Sequence, residues 1–156
     1  MVKNLGVDAD TEIEFALFGF SRGAFISRVL ADLLLKCGVP VRESITPKEM
    51  IGWYKKRCWS DIDEWRKRNP KGTINSNISF MGVWDTVASA KGFDDSQWVS
   101  VPKEVGTARH AVAINENRHM FNYTLMNSAE NVRELFLVDV ILMLAEDMMT
   151  IQSYLG

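Results

Sequence analysis

Between Ile13 and Gly38 the hydrophobic period of this chain changes once, abruptly, at a glycine. Ile13, Phe15, Leu17 and Phe18 form a short apolar run over Ile13 to Phe20 that reads as a buried strand, closing at Gly19. From about Ser21 the pattern is helical: Phe25, Val29, Leu30, Leu33 and Leu34 recur near a 3.6-residue period, and Gly38 supplies the stop. A strand that passes through a Gly-bounded turn straight into a helix is the unit from which parallel sheets are built, so an α/β fold is predicted.

The remaining elements follow from shorter signals. Thr46 caps a second helix with Pro47 at its first position and Glu49 at its third, and the pattern carries it to about Trp59. Asp61 to Lys71 is charged, reads as a solvated face, and ends in the turn Asn69-Pro70-Lys71-Gly72. Ile78 to Trp84 is a second strand, which delivers Asp85 at its C-terminal end, and Ala88 to Ser100 is a loop. Ala108 to Phe121 is predicted helical and Val132 to Val138 a third strand. Neither an internal repeat nor a low-complexity tract is present.

Composition narrows the function classes. A chain of 156 residues, 47% hydrophobic and 24% charged, suits one globular domain with a modest core. A net charge of −2 gives no electrostatic reason to expect nucleic acid or an anionic membrane surface. Cys37 and Cys58 are too few for a disulfide framework and lack metal-ligand spacing, so both read as structural thiols. Neither a metal nor an organic cofactor is expected. Met1 to Asp10 is polar, with no apolar signal region, and Leu135 to Leu144 is interrupted by Asp139 and too short to span a bilayer. Cytoplasmic residence is the default, with leaderless export left open.

Gly19-Phe20-Ser21-Arg22-Gly23 satisfies G-x-S-x-G, in the strand-to-helix context that gives the pattern its meaning. A serine on such a sharp turn holds its hydroxyl clear of the sheet, where a base and a substrate carbonyl can both reach it. The glycines permit close approach of neighbouring backbone, and the Arg22 N–H at the start of the helix is placed to donate to an oxyanion. Ser21 as a plain helix N-cap is the competing reading. Asp85 is the second candidate, because an acid at the C-terminal end of a parallel strand lies where ligands bind and follows the serine in the order Ser, Asp, His. Its part would be to orient a histidine; a turn or capping aspartate is the alternative.

Three blocks together carry a resemblance. They are Phe18 to Phe25 (F-G-F-S-R-G-A-F), Gly82 to Val87 (G-V-W-D-T-V) and His110 to Arg118 (H-A-V-A-I-N-E-N-R). They resemble a family of α/β-hydrolase domains that includes type VI secretion phospholipase effectors of the first lipase-effector family. The resemblance implies an α/β-hydrolase fold, hydrolysis of lipid or lipid-like esters, and Ser21 and Asp85 as two members of a triad. An immunity or secretion partner is implied with it. Asn115 stands where the family usually has Asp, at a position outside the triad.

The third triad member is missing where the family places it, in a segment like F-P-G-x-H-S-D-V-G-G-G-Y after the last strand. The chain reads Phe136-Leu137-Val138-Asp139-Val140-Ile141-Leu142 there, and its two histidines, His110 and His119, both come earlier. Each reads as a packed or surface helical residue rather than a replacement base. If the frame is moved back by one nucleotide after Phe136, synonymous codons can yield P-G-x-x-H-S-D-V-G-G-G-Y-D, one residue longer before the histidine than the family motif. Met148 and Met149 give the last Asp without any choice of codon.

Residues 137–156 are therefore expected to be an out-of-frame tail on a partial α/β-hydrolase domain spanning 1–156. The competing reading is a genuine helical tail with Ile141, Leu144, Ala145 and Met148 on one face. The strands that precede the elbow strand in this fold are also expected to be lacking, which would leave that strand with an unpaired edge prone to self-association. The leading function is a serine esterase or lipase, inactive as written; the alternative is a non-catalytic α/β binding module using Trp53, Trp59, Trp65 and Trp98 as contact anchors. Sequencing the nucleotides from the Glu134 codon onward is expected to show an open shifted frame encoding His-Ser-Asp-Val-Gly-Gly-Gly-Tyr. A shifted frame unable to encode that string makes the tail genuine.

Overall fold

A computed structural model describes residues 13–40, 45–87, 100–114, 124–127 and 129–137. Its centre is a four-stranded sheet of β1 (Ile13–Phe20), β4 (Ser76–Trp84), β5 (Thr107–Ala113) and β6 (Val132–Leu137), in that spatial order. Every pairing in it is parallel. Between β1 and β4 run α1 (Arg22–Cys37), β2 (Val39–Pro40), α2 (Pro47–Lys55), α3 (Trp59–Arg68) and β3 (Thr73–Ile74). β2 and β3 pair antiparallel as a separate ribbon. The mostly parallel sheet with flanking helices makes the fold α/β.

Two apolar clusters share α1. Ala24 and Ala31 pack against Leu17 of β1 and Ile78, Met81 and Val83 of β4. Small residues at these positions let the helix lie close on the strands. Phe25 and Cys37 instead join Met50, Tyr54 and Ile62 under α2 and α3. Burial raises the Cys37 thiol to about 11, as expected of an inert core cysteine; Cys58 is half-buried and free. Leu30 of the predicted stripe is exposed, along with Ile26.

The second helix is shorter than its pattern suggested. Thr46 forms the expected capping box with Glu49, but α2 ends at Lys55 and Arg57 turns the chain with φ 56° before α3 begins. The charged run after it is helical, with Ile62 inward and Asp61, Asp63, Glu64, Lys67 and Arg68 exposed. Trp53, Trp59 and Trp65 are half-buried, with Trp53 against Trp65 and Trp59 edge-on to Tyr54. That is ordinary partial burial; Trp98 lies outside the described residues.

The predicted helix from Ala108 is the clear error: Thr107–Ala113 is a strand. Ala108, His110 and Val112 are buried while Arg109 is exposed, a two-residue period hidden beneath helix-favouring alanines. Residues 115–123 of that prediction, with His119 and Asn115, lie outside the described residues. So do the predicted loop over 88–99 and the tail beyond Leu137.

β1 is an edge of the sheet among the described residues. α1 covers one sheet face; on the other, Phe18 is 60% exposed, Leu135 56% and Phe20 44%. Phe18 lies beside Phe80 and Trp84 there.

The two motif glycines differ. A Cβ on Gly19 would run into the Gly23 carbonyl, 2.6 Å from its carbon and 2.7 Å from Ala24 N, whereas a Cβ on Gly23 meets nothing within 4 Å. Gly19→Ala is expected to cost about 1–3 kcal/mol of stability by forcing α1 off the strand. Gly23→Ala, in the first turn of a helix, should stay within about 1 kcal/mol of the parent. Urea denaturation of both variants checks the pair, and equal effects would mean that the close approach at Gly19 is unimportant.

Candidate functional site

Ser21 joins β1 to α1 with φ 55° and ψ −120°, a combination that costs a non-glycine residue free energy. Its N–H donates to the Trp84 carbonyl at 2.8 Å, and its own carbonyl accepts from Ala24, Phe25 and Val87. Ser21 stands at the N-cap position of α1, but its hydroxyl makes no capping bond to the helix. Ser21 is half-buried at the strand end. Arg22 opens α1 with an exposed side chain, and its N–H has no intrahelical acceptor.

Asp85 stands one strand over. Phe20 is in register with Trp84, so Ser21 and Asp85 are the next residues on adjacent parallel strands, at the same sheet edge. Asp85 has φ 43° and donates its N–H to the Ala111 carbonyl at 2.9 Å. Carboxylate Oδ1 accepts from Ala113 N at 2.6 Å, while Oδ2 is buried without a hydrogen-bond partner. A buried carboxylate oxygen left this way is costly and calls for an explanation.

His110 is fully buried in mid-strand, in register with Val83. Nδ1 lies 2.9 Å from Glu134 Oε1, and Nε2 lies 3.1 Å from Thr86 Oγ1 and 3.3 Å from Thr86 N. A backbone N–H can only donate, so Nε2 accepts and the proton sits on Nδ1, donated to Glu134. Burial, above all, lowers the His110 pKa from its ordinary value of 6.5; the Glu134 hydrogen bond opposes the shift and the Arg28 charge reinforces it. The pair is thus a hydrogen bond rather than an ion pair. With both nitrogens engaged, His110 is not a base free to serve Ser21, as its reading as a packed residue anticipated, though it packs on a strand and not a helix.

Arg28 completes this buried group. Its guanidinium donates to the Thr124 and Leu125 carbonyls at 2.8 and 3.1 Å, while Nε is buried and unpartnered. Burial lowers its pKa to about 10, and Glu134 opposes the shift, so it remains a cation at neutral pH. Thr86, Arg28 and Glu134 were missed in the sequence. The available signal was a polar residue at an inward-facing position: Arg28 three after Phe25, and Glu134 two after Val132.

The catalytic-domain model of the T6SS phospholipase effectors, Tle1-like, matches residues 8–136. The chain belongs to this family. An uncharacterized protein of Saccharomyces cerevisiae is 26% identical over 134 residues, an alignment covering 77% of this chain and 20% of that protein. The chain therefore spans about a fifth of that curated relative. No solved structure matches.

Membership in the Tle1-like family is that of a phospholipase effector catalytic domain, a lipase-like hydrolase class. Among the described residues, no cluster of three His, Cys, Asp or Glu could hold a metal ion, and no helix is long and apolar enough to cross a membrane.

The buried imidazole makes stability depend on pH. Native His110 holds its proton less tightly than an unfolded histidine, so unfolding takes up a proton between the two pKa values. Its contribution is complete above 6.5 and is lost as pH falls through the lowered native value. Melting temperatures are expected to fall more between pH 7.5 and 5.5 for the parent chain than for His110→Gln. Parallel curves would show that His110 titrates in the fold as it does in the unfolded chain.

Proposed function

We propose that this chain holds the nucleophile and acid of a serine ester hydrolase acting on lipid esters, in a partial α/β-hydrolase domain. Ser21 Oγ would attack the ester carbonyl, forming a tetrahedral intermediate whose oxyanion takes the Arg22 N–H. A histidine oriented by Asp85 would take the serine proton and pass it to the departing alcohol; water then releases the acyl group by the same steps. The observation that carries this reading is the strained, uncapped Ser21 turn hydrogen-bonded to the strand end that bears Asp85. The unpartnered Asp85 Oδ2 supports it, since a carboxylate that orients a histidine needs an oxygen free to accept its N–H.

The family match stops at Phe136, the residue after which the shifted frame restores a histidine motif. That coincidence supports residues 137–156 as an out-of-frame tail and the chain as written as inactive. The substrates favoured are phospholipids or other lipid esters, with no nucleic-acid partner. A neutralising immunity or secretion partner follows from the effector family. Self-association through the β1 edge is proposed as well, supported by the exposed Phe18 and Phe20.

A second reading has an observation of its own: His110, the described histidine, is engaged at both nitrogens. That favours a non-catalytic binding module for the chain as written. The test compares the chain as written with its frame-restored form on a p-nitrophenyl ester and on phospholipid vesicles. Background turnover is expected for the first, and for the second a rate at least 100-fold (roughly the scale for a general base) above its Ser21→Ala variant. Fluorophosphonate labelling of Ser21 should follow the same order. A frame-restored chain that neither turns over nor labels would leave the binding module as the better reading.

A further inference from the structure

We infer that His110 is a positioning residue for Asp85, a neutral imidazole that holds the acid in place through Thr86. The inference rests on the proposed role of Asp85 as the acid that orients a histidine. Its basis is a closed circuit of buried and part-buried hydrogen bonds joining α1, β5, β6 and the turn after β4 to the segment 124–126.

The circuit can be followed atom by atom. Asp85 N–H and Thr86 N–H are successive donors, the first to the Ala111 carbonyl and the second to His110 Nε2, both on β5. Asp85 lies between these two anchors with φ 43°, a left-handed conformation that costs a non-glycine residue some free energy and that the two anchors help to hold. The same strand supplies Ala113 N–H to Asp85 Oδ1. His110 is in turn fixed by Glu134 on β6, whose Oε1 also accepts from Met126 N–H at 2.7 Å. Thr124 N–H donates to the Thr86 carbonyl, and Arg28 of α1 holds the Thr124 and Leu125 carbonyls.

Removing the acceptor at Nε2 therefore undoes one anchor of the acid while leaving the sheet pairing intact. Protonation would do the same, because an Nε2–H faces the Thr86 N–H donor to donor. The charged groups around the imidazole are Glu134 from β6, Arg28 from α1 and Asp85 from the end of β4. Only the protonation state with Nδ1–H and a bare Nε2 satisfies every partner in the circuit.

Solution NMR on the chain as it exists tests this. The Ala113 amide proton, bound to Asp85 Oδ1, reports where the carboxylate sits. Imidazole nitrogen shifts are expected to show His110 as the Nδ1–H tautomer. As the pH is lowered, the Ala113 amide is expected to move upfield with the midpoint of any His110 titration. His110→Gln, whose Oε1 can take the place of Nε2 as acceptor, should keep the downfield Ala113 amide, and His110→Leu should lose it. An Nε2–H tautomer overturns the inference. So does an Ala113 amide that stays in place in folded His110→Leu or through His110's own titration. Should His110→Leu not fold, the tautomer and titration of the parent chain decide alone. None of these readouts needs turnover, so an inactive frame-restored chain would count against the serine-hydrolase reading without touching this one.

Discussion

Parallel pairing of β1 with β4 is the constraint on which the rest of this structure depends. Because Phe20 and Trp84 are in register, the two strands run out together and the chain leaves each with positive φ, at Ser21 and at Asp85. The Ser21 N–H to Trp84 carbonyl bond closes the pairing one residue beyond the last β1 position. A one-residue slip would turn every side chain of β1 to the opposite face, taking Leu17 out of the core under α1. Core packing thus enforces the same register that sets the serine and the acid on neighbouring strand ends. Stability and site geometry share one cause.

The buried polar circuit beneath that edge works differently from the apolar core. Arg28, His110 and Thr86 are wholly buried in a small domain, where leaving any one unsatisfied costs about 1–3 kcal/mol. Such groups add little net stability over well-packed apolar residues, but each accepts only one arrangement of its neighbours. Here those neighbours include the backbone of Asp85 and Thr86 and of residues 124–126, which belong to no described helix or strand. An irregular segment has no ladder of its own to hold it. Directional bonds from a cation and an imidazole supply what apolar contact could not.

What was legible in the sequence divides along the same line. β1, α1 and β4 could be read because their hydrophobic periods are strong and their ends carry glycine or an acid at a strand terminus. The candidate residues Ser21 and Asp85 sit at those ends and were legible with them. β5 was not, because its two-residue burial period is short and its alanines imitate a helix. The division of the second helix turned on Arg57, a left-handed arginine that no local rule announces. The circuit was illegible for a further reason: Arg28, Thr86, His110 and Glu134 come from four separate segments, and only the sheet order brings them together.

That order also bears on the question of the base. A histidine serving Ser21 must have one nitrogen free toward the serine and the other toward the acid. His110 has neither, since its ring lies below the strand ends, in register with Val83 rather than with Asp85. Turning it outward would strip Glu134 of one donor and leave Thr86 N–H unsatisfied in the core. The fold therefore holds its described histidine in a structural post. Among the described residues, the buried carboxylate oxygen that lacks a donor is Asp85 Oδ2, on the strand end beside the strained serine turn.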